Sequence, residues 1–183
     1  AKSVKTGKNL LSLEISRQFV LNFLNYEISE IKKGKRIKIL GLEQKIDLFY
    51  QVEGLSFPIR LKGTIDRIDQ IDQVTRIIDY KTGKVNQSDL NIKNWPDLIE
   101  EEKYAKAFQV LCYAYMFSAN KLLPDGTSLE SGIISFKNLK SGFLKLNREE
   151  ISDETLMSFS ENLDALLLYL FDADSSFIEK KIP

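Results

Sequence analysis

The stretch that decides the fold runs from Gly63 to Lys84 and reads G-T-I-D-R-I-D-Q-I-D-Q-V-T-R-I-I-D-Y-K-T-G-K. Two runs rich in β-branched residues flank a polar segment, Gln70 to Gln73, so the spacing predicts two antiparallel strands joined by a turn. Side chains on a strand alternate between faces, which puts Asp79 and Lys81 on one face and Ile78 and Tyr80 on the other. On the preceding strand Phe57, Ile59, Leu61 and Ile65 form the apolar series. Asp66 ends the opposite series of Arg60, Lys62 and Thr64, so its carboxylate is expected to leave the core. If the strands pair, two carboxylates and an ammonium converge.

Upstream, Arg36 to Val52 alternates in two pieces about Gly41, as a long strand bent at that glycine would, and Glu53-Gly54 turns into the strand Leu55 to Asp69. With Val74 to Lys81 these make a three-stranded antiparallel meander. Before it, Leu10, Leu13, Phe19, Val20, Phe23, Leu24, Ile28 and Ile31 recur at near-helical spacing between Asn9 and Lys32, the pattern of an amphipathic helix packed on the core. The basic cluster that follows, Lys32, Lys33, Lys35, Arg36 and Lys38, reads first as a solvated helix end and second as a phosphate-contacting edge. Downstream, Lys84 to Asp97 is polar and weakly patterned, long for an ordinary connection, and suggests a lid or an insertion. Glu100 to Lys121 reads as a helix, Ser131 to Lys137 and Gly142 to Leu146 as strands, and Glu150 to Phe171 as a last helix entered through Ser152. The expected fold class is α/β (α+β): one domain over residues 1–183 with a mixed central sheet flanked by helices.

The 183 residues can bury a sizeable core, and 43% hydrophobic with 28% charged residues is ordinary for a globular protein. The longest apolar run, Ala165 to Phe171, is far short of the roughly 20 residues that span a bilayer, and no secretory signal opens the chain, so a cytoplasmic protein is expected. A first residue of Ala rather than Met suggests a piece of a larger protein. There is no histidine and one cysteine, Cys112, which excludes a Cys/His zinc site and any Ser-His or Cys-His nucleophilic pair. A metal would be held by oxygen, which favours Mg²⁺, Mn²⁺ or Ca²⁺. Formal net charge is zero, so global electrostatics do not announce a nucleic-acid binder.

Two carboxylates beside a lysine suit hydrolysis of a phosphodiester. The acids fix a hard divalent cation, and the lysine stabilises charge that grows on phosphate oxygens. On spacing alone, Asp79 and Lys81 are better read as an exposed ion pair of small energetic value. Other patterns fail on context. Lys5 to Lys8 and Lys81 to Lys84 share a sequence but lack the earlier glycine of a phosphate-binding loop, and Lys81-Thr82-Gly83 has no partner boxes of a penicillin-binding enzyme. Trp95, Tyr104, Phe108, Tyr115 and Phe117 fall at helical spacing and read as core rather than as stacking surfaces.

Gly63-x-x-Asp66-Arg67 followed by Ile77-Ile78-Asp79-Tyr80-Lys81-Thr82-Gly83 resembles the second and third motifs of the RecB-like branch of the PD-(D/E)XK nucleases, in order and at the usual separation. Gln109 and Tyr113 match that branch's Gln-x-x-x-Tyr motif, and Lys106 lies on the same helical stripe. The resemblance implies a restriction-endonuclease-like fold and an Mg²⁺-dependent exonuclease domain, with Mn²⁺ able to substitute. It implies Asp66, Asp79 and the Tyr80 carbonyl as metal ligands, Lys81 as the catalytic lysine, and Gln109 and Tyr113 as residues positioning DNA or that lysine. It further implies DNA and a helicase portion of the same or a partner polypeptide as partners, in double-strand break repair, with no membrane. The branch's usual early-helix ligand has no match, with Glu14, Glu27 or Glu30 as substitutes. Glu43 reads as a surface glutamate. Lone Cys112 cannot hold the iron–sulfur cluster of some relatives and reads as a core residue. The alternative is a catalytically inactive module of the same fold that binds DNA or scaffolds a helicase subunit; a third possibility is a free-standing nuclease.

Overall fold

The computed structural model describes residues 7–174 and 176, so the first residues of the Lys5–Lys8 repeat lie outside the described residues. Helix α1 (Gly7–Lys32) leads into strands β1 (Ile37–Tyr50), β2 (Ile59–Ile71) and β3 (Val74–Lys81). A one-turn helix α2 (Asp97–Glu100) precedes α3 (Ala105–Ala119), and β4 (Ser128–Ser135), β5 (Phe143–Lys145) and α4 (Asp153–Phe171) complete the order. The strands form one mixed sheet in the order β1-β2-β3-β4-β5. Only β3 and β4 run parallel, joined by a crossover that carries α3. This is the expected α+β architecture of a mixed sheet between helices.

The meander forms as the alternation predicts, with β1 shifting register between Ile39 and Gly41, the point of the expected bend. The β2–β3 turn is tighter than expected. Ile71 pairs with Val74, leaving only Asp72 and Gln73 in the loop, with Asp72 at φ +55°, a conformation aspartate tolerates better than most residues.

Helix α3 covers one face of the sheet. Val110, Leu111, Ala107 and Ala114 are fully buried against Ile133 and Ile77, and Ser131 of β4 donates to the Val110 carbonyl at 2.8 Å. Ile77 and Ile78 are both 0% exposed; burying each contributes roughly 1.5–3 kcal/mol. Helix α4, N-capped by Ser152 through the Thr155 N–H, packs Phe159, Leu163 and Leu167 against the same core.

Several expectations are corrected. The helix predicted from Glu100 begins at Ala105, because Glu101 is extended (φ −110°, ψ 122°) and separates α2 from the next turn. The polar segment from Lys84 to Asp97 is no lid. Val85 and Leu90 are buried in the core, Ser135 donates to the Gly83 carbonyl at 2.7 Å, Asn138 to the Val85 carbonyl at 3.1 Å, and Asn147 accepts the Ile92 N–H at 2.8 Å.

Helix α1 forms over the predicted span, but of its predicted stripe only Phe19 and Phe23 dock. Leu10, Leu13, Val20, Leu24, Ile28 and Ile31 are exposed. The docked stripe is Phe19, Phe23, Tyr26, Glu27 and Glu30, where Phe19 stacks on Phe136 and Phe23 meets Tyr80 edge-on. The basic cluster is partly neutralised locally: Lys33 and Lys35 both pair with the buried Glu30.

Candidate active site

Strands β2 and β3 pair from Ile71–Val74 as far as Arg67–Ile78. Beyond that point the Tyr80 N–H donates to Asp66 Oδ2 at 2.8 Å, so the Asp66 carboxylate occupies the gap where the ladder ends. Across from it, β1 skips from the Leu42–Arg67 pair to the Gln44–Ile65 pair, and the intervening Glu43 is exposed at φ +47°. Ile65, Arg67, Ile68 and Asp69 are all buried here, because α3 covers one face of the sheet and α1 the other.

Asp79 is only 3% exposed. Lys81 Nζ lies 2.7 Å from Asp79 Oδ2 as an ion pair, and the same ammonium donates to Gln109 Oε1 at 2.9 Å. Gln109 in turn donates from Nε2 to the Tyr113 hydroxyl at 3.1 Å. The Tyr113 ring then lies over Gly63: a Cβ at residue 63 would sit 2.7 Å from Tyr113 Cε1. A continuous path therefore joins Asp79, Lys81, Gln109, Tyr113 and Gly63. The exposed ion pair that spacing favoured is overturned, since cover from α3 and β4 buries the acid.

Oδ2 of Asp79 is buried with no hydrogen-bond donor, the lysine approaching off the hydrogen-bonding direction. Burial raises the Asp79 carboxyl above its ordinary pKa of 3.8; Lys81 opposes the rise and the Asp66 charge adds to it. Asp66 is half-buried rather than projecting freely from the core, as the strand series had suggested. Lys106 takes no part in this chain; its nearest acid is Asp89 at 3.6 Å.

The opposite face of the same strands carries a network that no motif in the sequence announces. Arg67, 3% exposed, pairs through Nη2 with Glu27 of α1 and Asp69, both at 2.7 Å, and donates to the Tyr80 hydroxyl at 3.3 Å. Asp69 also receives a bidentate pair from Arg76 at 2.8 Å. Burial works against the Arg67 charge, and Glu27, Asp69 and Tyr80 more than offset it, leaving its pKa above the ordinary value. Glu27 is thus paired with Arg67, and Glu30 with Lys33 and Lys35. Glu14 is exposed on α1. No group of three or more acids, cysteines or histidines disposed to hold a metal occurs among the described residues. A pairing of arginine with glutamate 40 residues apart leaves no local pattern, although Arg67 stands within the second motif.

Cys112 is partly buried against the core, and burial pushes its thiol up to about 12. Tyr104, Phe108, Tyr115, Phe117 and Trp95 pack in the core, as their spacing implied. No helix among the described residues is long and apolar enough to cross a membrane.

A search of curated proteins returned no match. The family described as the PD-(D/E)XK nuclease superfamily matches residues 11–177, nearly the whole chain. Its members are generally nucleases, typically dependent on divalent metals such as Mg²⁺. That match spans all five strands and the helices that carry Asp66, Asp79, Lys81, Gln109 and Tyr113, and the chain belongs to the PD-(D/E)XK nuclease superfamily.

Proposed function

We propose that this chain is an Mg²⁺-dependent DNA exonuclease domain of the RecB-like branch, a single cytoplasmic domain that works with a helicase portion of the same or a partner polypeptide in double-strand break repair. One observation carries the reading. The branch's motif residues, separated by up to 50 positions in sequence, form one connected set from Asp79 through Lys81, Gln109 and Tyr113 to Gly63, with Asp66 beside it. A fold kept for scaffolding alone has no need of a buried carboxylate whose Oδ2 faces only the Lys81 ammonium and accepts no hydrogen bond.

The residues fit a hard divalent cation. Asp66 and Asp79 would supply carboxylate oxygens and the Tyr80 carbonyl a third, and Asp79 Oδ2, buried beside the Lys81 ammonium without a hydrogen-bond donor, keeps a lone pair for such an ion. Such a cation, when bound, polarises the scissile phosphate and lowers the pKa of an attacking water.

The chain's own residues do the rest. The packing that buries Asp79 excludes water from its side of the site, so Lys81 acts more strongly on the charge developing on phosphate oxygens. Gln109 holds the Lys81 ammonium against rotation through its Oε1, and Tyr113 fixes the Gln109 amide in that orientation. On the strand's other face Arg67 anchors the Tyr80 ring, which fixes the backbone between Asp79 and Lys81. Asp79→Ala is expected to abolish Mg²⁺-dependent digestion of linear DNA while the far-ultraviolet circular dichroism stays that of the parent. Digestion at the parent rate would overturn the assignment.

A further inference from the structure

The β1–β2 ribbon projects beyond the site with one face open to solvent. Three cross-strand pairs line that face in register: Lys45 with Thr64, Asp47 with Lys62, and Phe49 with Arg60. Lys45, Asp47, Ile46, Arg60, Lys62, Gly63 and Thr64 border an open groove of about 530 Å³. Successive pairs lie about 6.8 Å apart along the strands, so the three rows reach back from Asp66 for roughly 20 Å.

The chemistry of this face differs from that of the whole molecule. The chain is formally neutral, yet here one acid stands against three cations, and that acid, Asp47, is held by Arg60 at 2.6 Å. Neither Lys45 nor Lys62 has an ion-pair partner among the described residues. At the far row stands Phe49, 69% exposed, with the Arg60 guanidinium 5.8 Å from its ring centroid. The Phe49 ring thus stands on the open strand face, with the arginine over it, rather than in the adjacent core.

We infer that the open face of the β1–β2 ribbon is a binding track for a single strand of nucleic acid: Phe49 and Arg60 stack on a base, Lys45 and Lys62 contact phosphates, and the strand leads along β2 to Asp66. Exposed aromatic surface interleaved with unpaired cations is what sequence-tolerant single-strand binding requires, because every base has a π-face and every nucleotide a phosphate. A duplex buries its base faces and offers Phe49 nothing to stack on. The direction of the track rests on the nuclease reading of Asp66 and Asp79; the binding itself does not.

Fluorescence anisotropy tests it, using a labelled 15-nucleotide oligothymidylate and a blunt hairpin duplex of equal length in EDTA, where no metal-dependent cutting occurs. The parent is expected to bind the single strand more tightly than the duplex. Phe49→Ala is expected to weaken single-strand binding roughly 5- to 100-fold, the range for losing one stacked base. Lys45→Glu/Lys62→Glu is expected to reduce the slope of log affinity against log salt by about 1.4, that is about 0.7 for each phosphate contact released. All three side chains are exposed, so matched thermal midpoints serve as the folding control. Parent-like affinity and salt slope in both variants, no measurable binding by the parent, or equal losses on single strand and duplex each overturn the track. Cleavage by the parent and by these variants, set beside Asp79→Ala, reports on the nuclease reading separately.

Discussion

Replacing Gly63 by alanine adds one methyl group at the point where β2 meets α3, and its consequence can be worked out atom by atom. The new Cβ would lie 2.7 Å from Tyr113 Cε1, 3.5 Å from Cδ1 and 3.7 Å from Met116 Cε. Carbon atoms prefer about 3.5–4.0 Å, so the aromatic ring must withdraw by roughly an ångström. Gly63 does not take a positive φ, so alanine meets no backbone strain, and on backbone entropy alone it should stabilise the strand by about 0.5–1 kcal/mol. Overpacking of this kind costs about 1–3 kcal/mol, so a net loss is expected. Removing the ring in Tyr113→Ala should abolish that loss, giving a coupling of about 1–3 kcal/mol in a double-mutant cycle measured by urea unfolding. Displacement of the ring also breaks the 3.1 Å bond to Gln109, so Gly63→Ala is expected to lower turnover on linear DNA as well as stability. A Gly63→Ala protein as stable as the parent, or one whose loss persists unchanged without the Tyr113 ring, would refute the contact.

Three further outcomes follow from other sites. Gln109→Leu leaves Lys81 without its second anchor, so turnover on linear DNA should fall by up to about 100-fold with little change in KM; an unchanged kcat would remove Gln109 from the lysine's positioning. Hydrogen bonds from Lys33 and Lys35 hold the Glu30 carboxyl below its ordinary pKa of 4.5, so its stabilising share is present above that pH and lost as pH falls through the lower folded value. Urea midpoints should show Glu30→Gln destabilised at pH 7 and the gap to the parent closing as the pH falls below the ordinary carboxylate range; a gap that widens on acidification would contradict this sign. The Cys112 thiol, pushed up to about 12 by burial, should resist Ellman's reagent in the native protein and react once unfolded; prompt native labelling would contradict its packing.

The β1–β2–β3 meander and the elements after it were legible because alternation and turn chemistry act over a few residues. What escaped the sequence depends on cover from distant elements. Asp79 and Lys81 read as surface charges until α3 and β4, more than 25 residues on, bury the acid and hold the lysine. Asp66 read as projecting outward because the regular series of Arg60, Lys62 and Thr64 does not reveal where the ladder ends. Glu100 to Glu102 resembled a helix start, and only the extended backbone at Glu101 shows that the helix begins later. On α1 the apolar stripe was expected to dock whole, but only its aromatic members Phe19 and Phe23 did, joined by Tyr26, since Phe136 and Tyr80 offer flat partners and Arg67 offers Glu27 a charge.

The parallel pairing of β3 with β4 has a consequence for how the protein is made. Asp79 lies opposite Ile133, so the strand bearing the acid and the lysine gains its second neighbour only after a further 54 residues have been synthesised. Until then β3 is an edge, presenting unpaired amides beside the apolar Ile77 and Ile78, which is a template for pairing with another chain. A ribosome-bound or truncated product that stops before Ser128 therefore leaves the β3 edge, with Ile77 and Ile78, without its β4 cover.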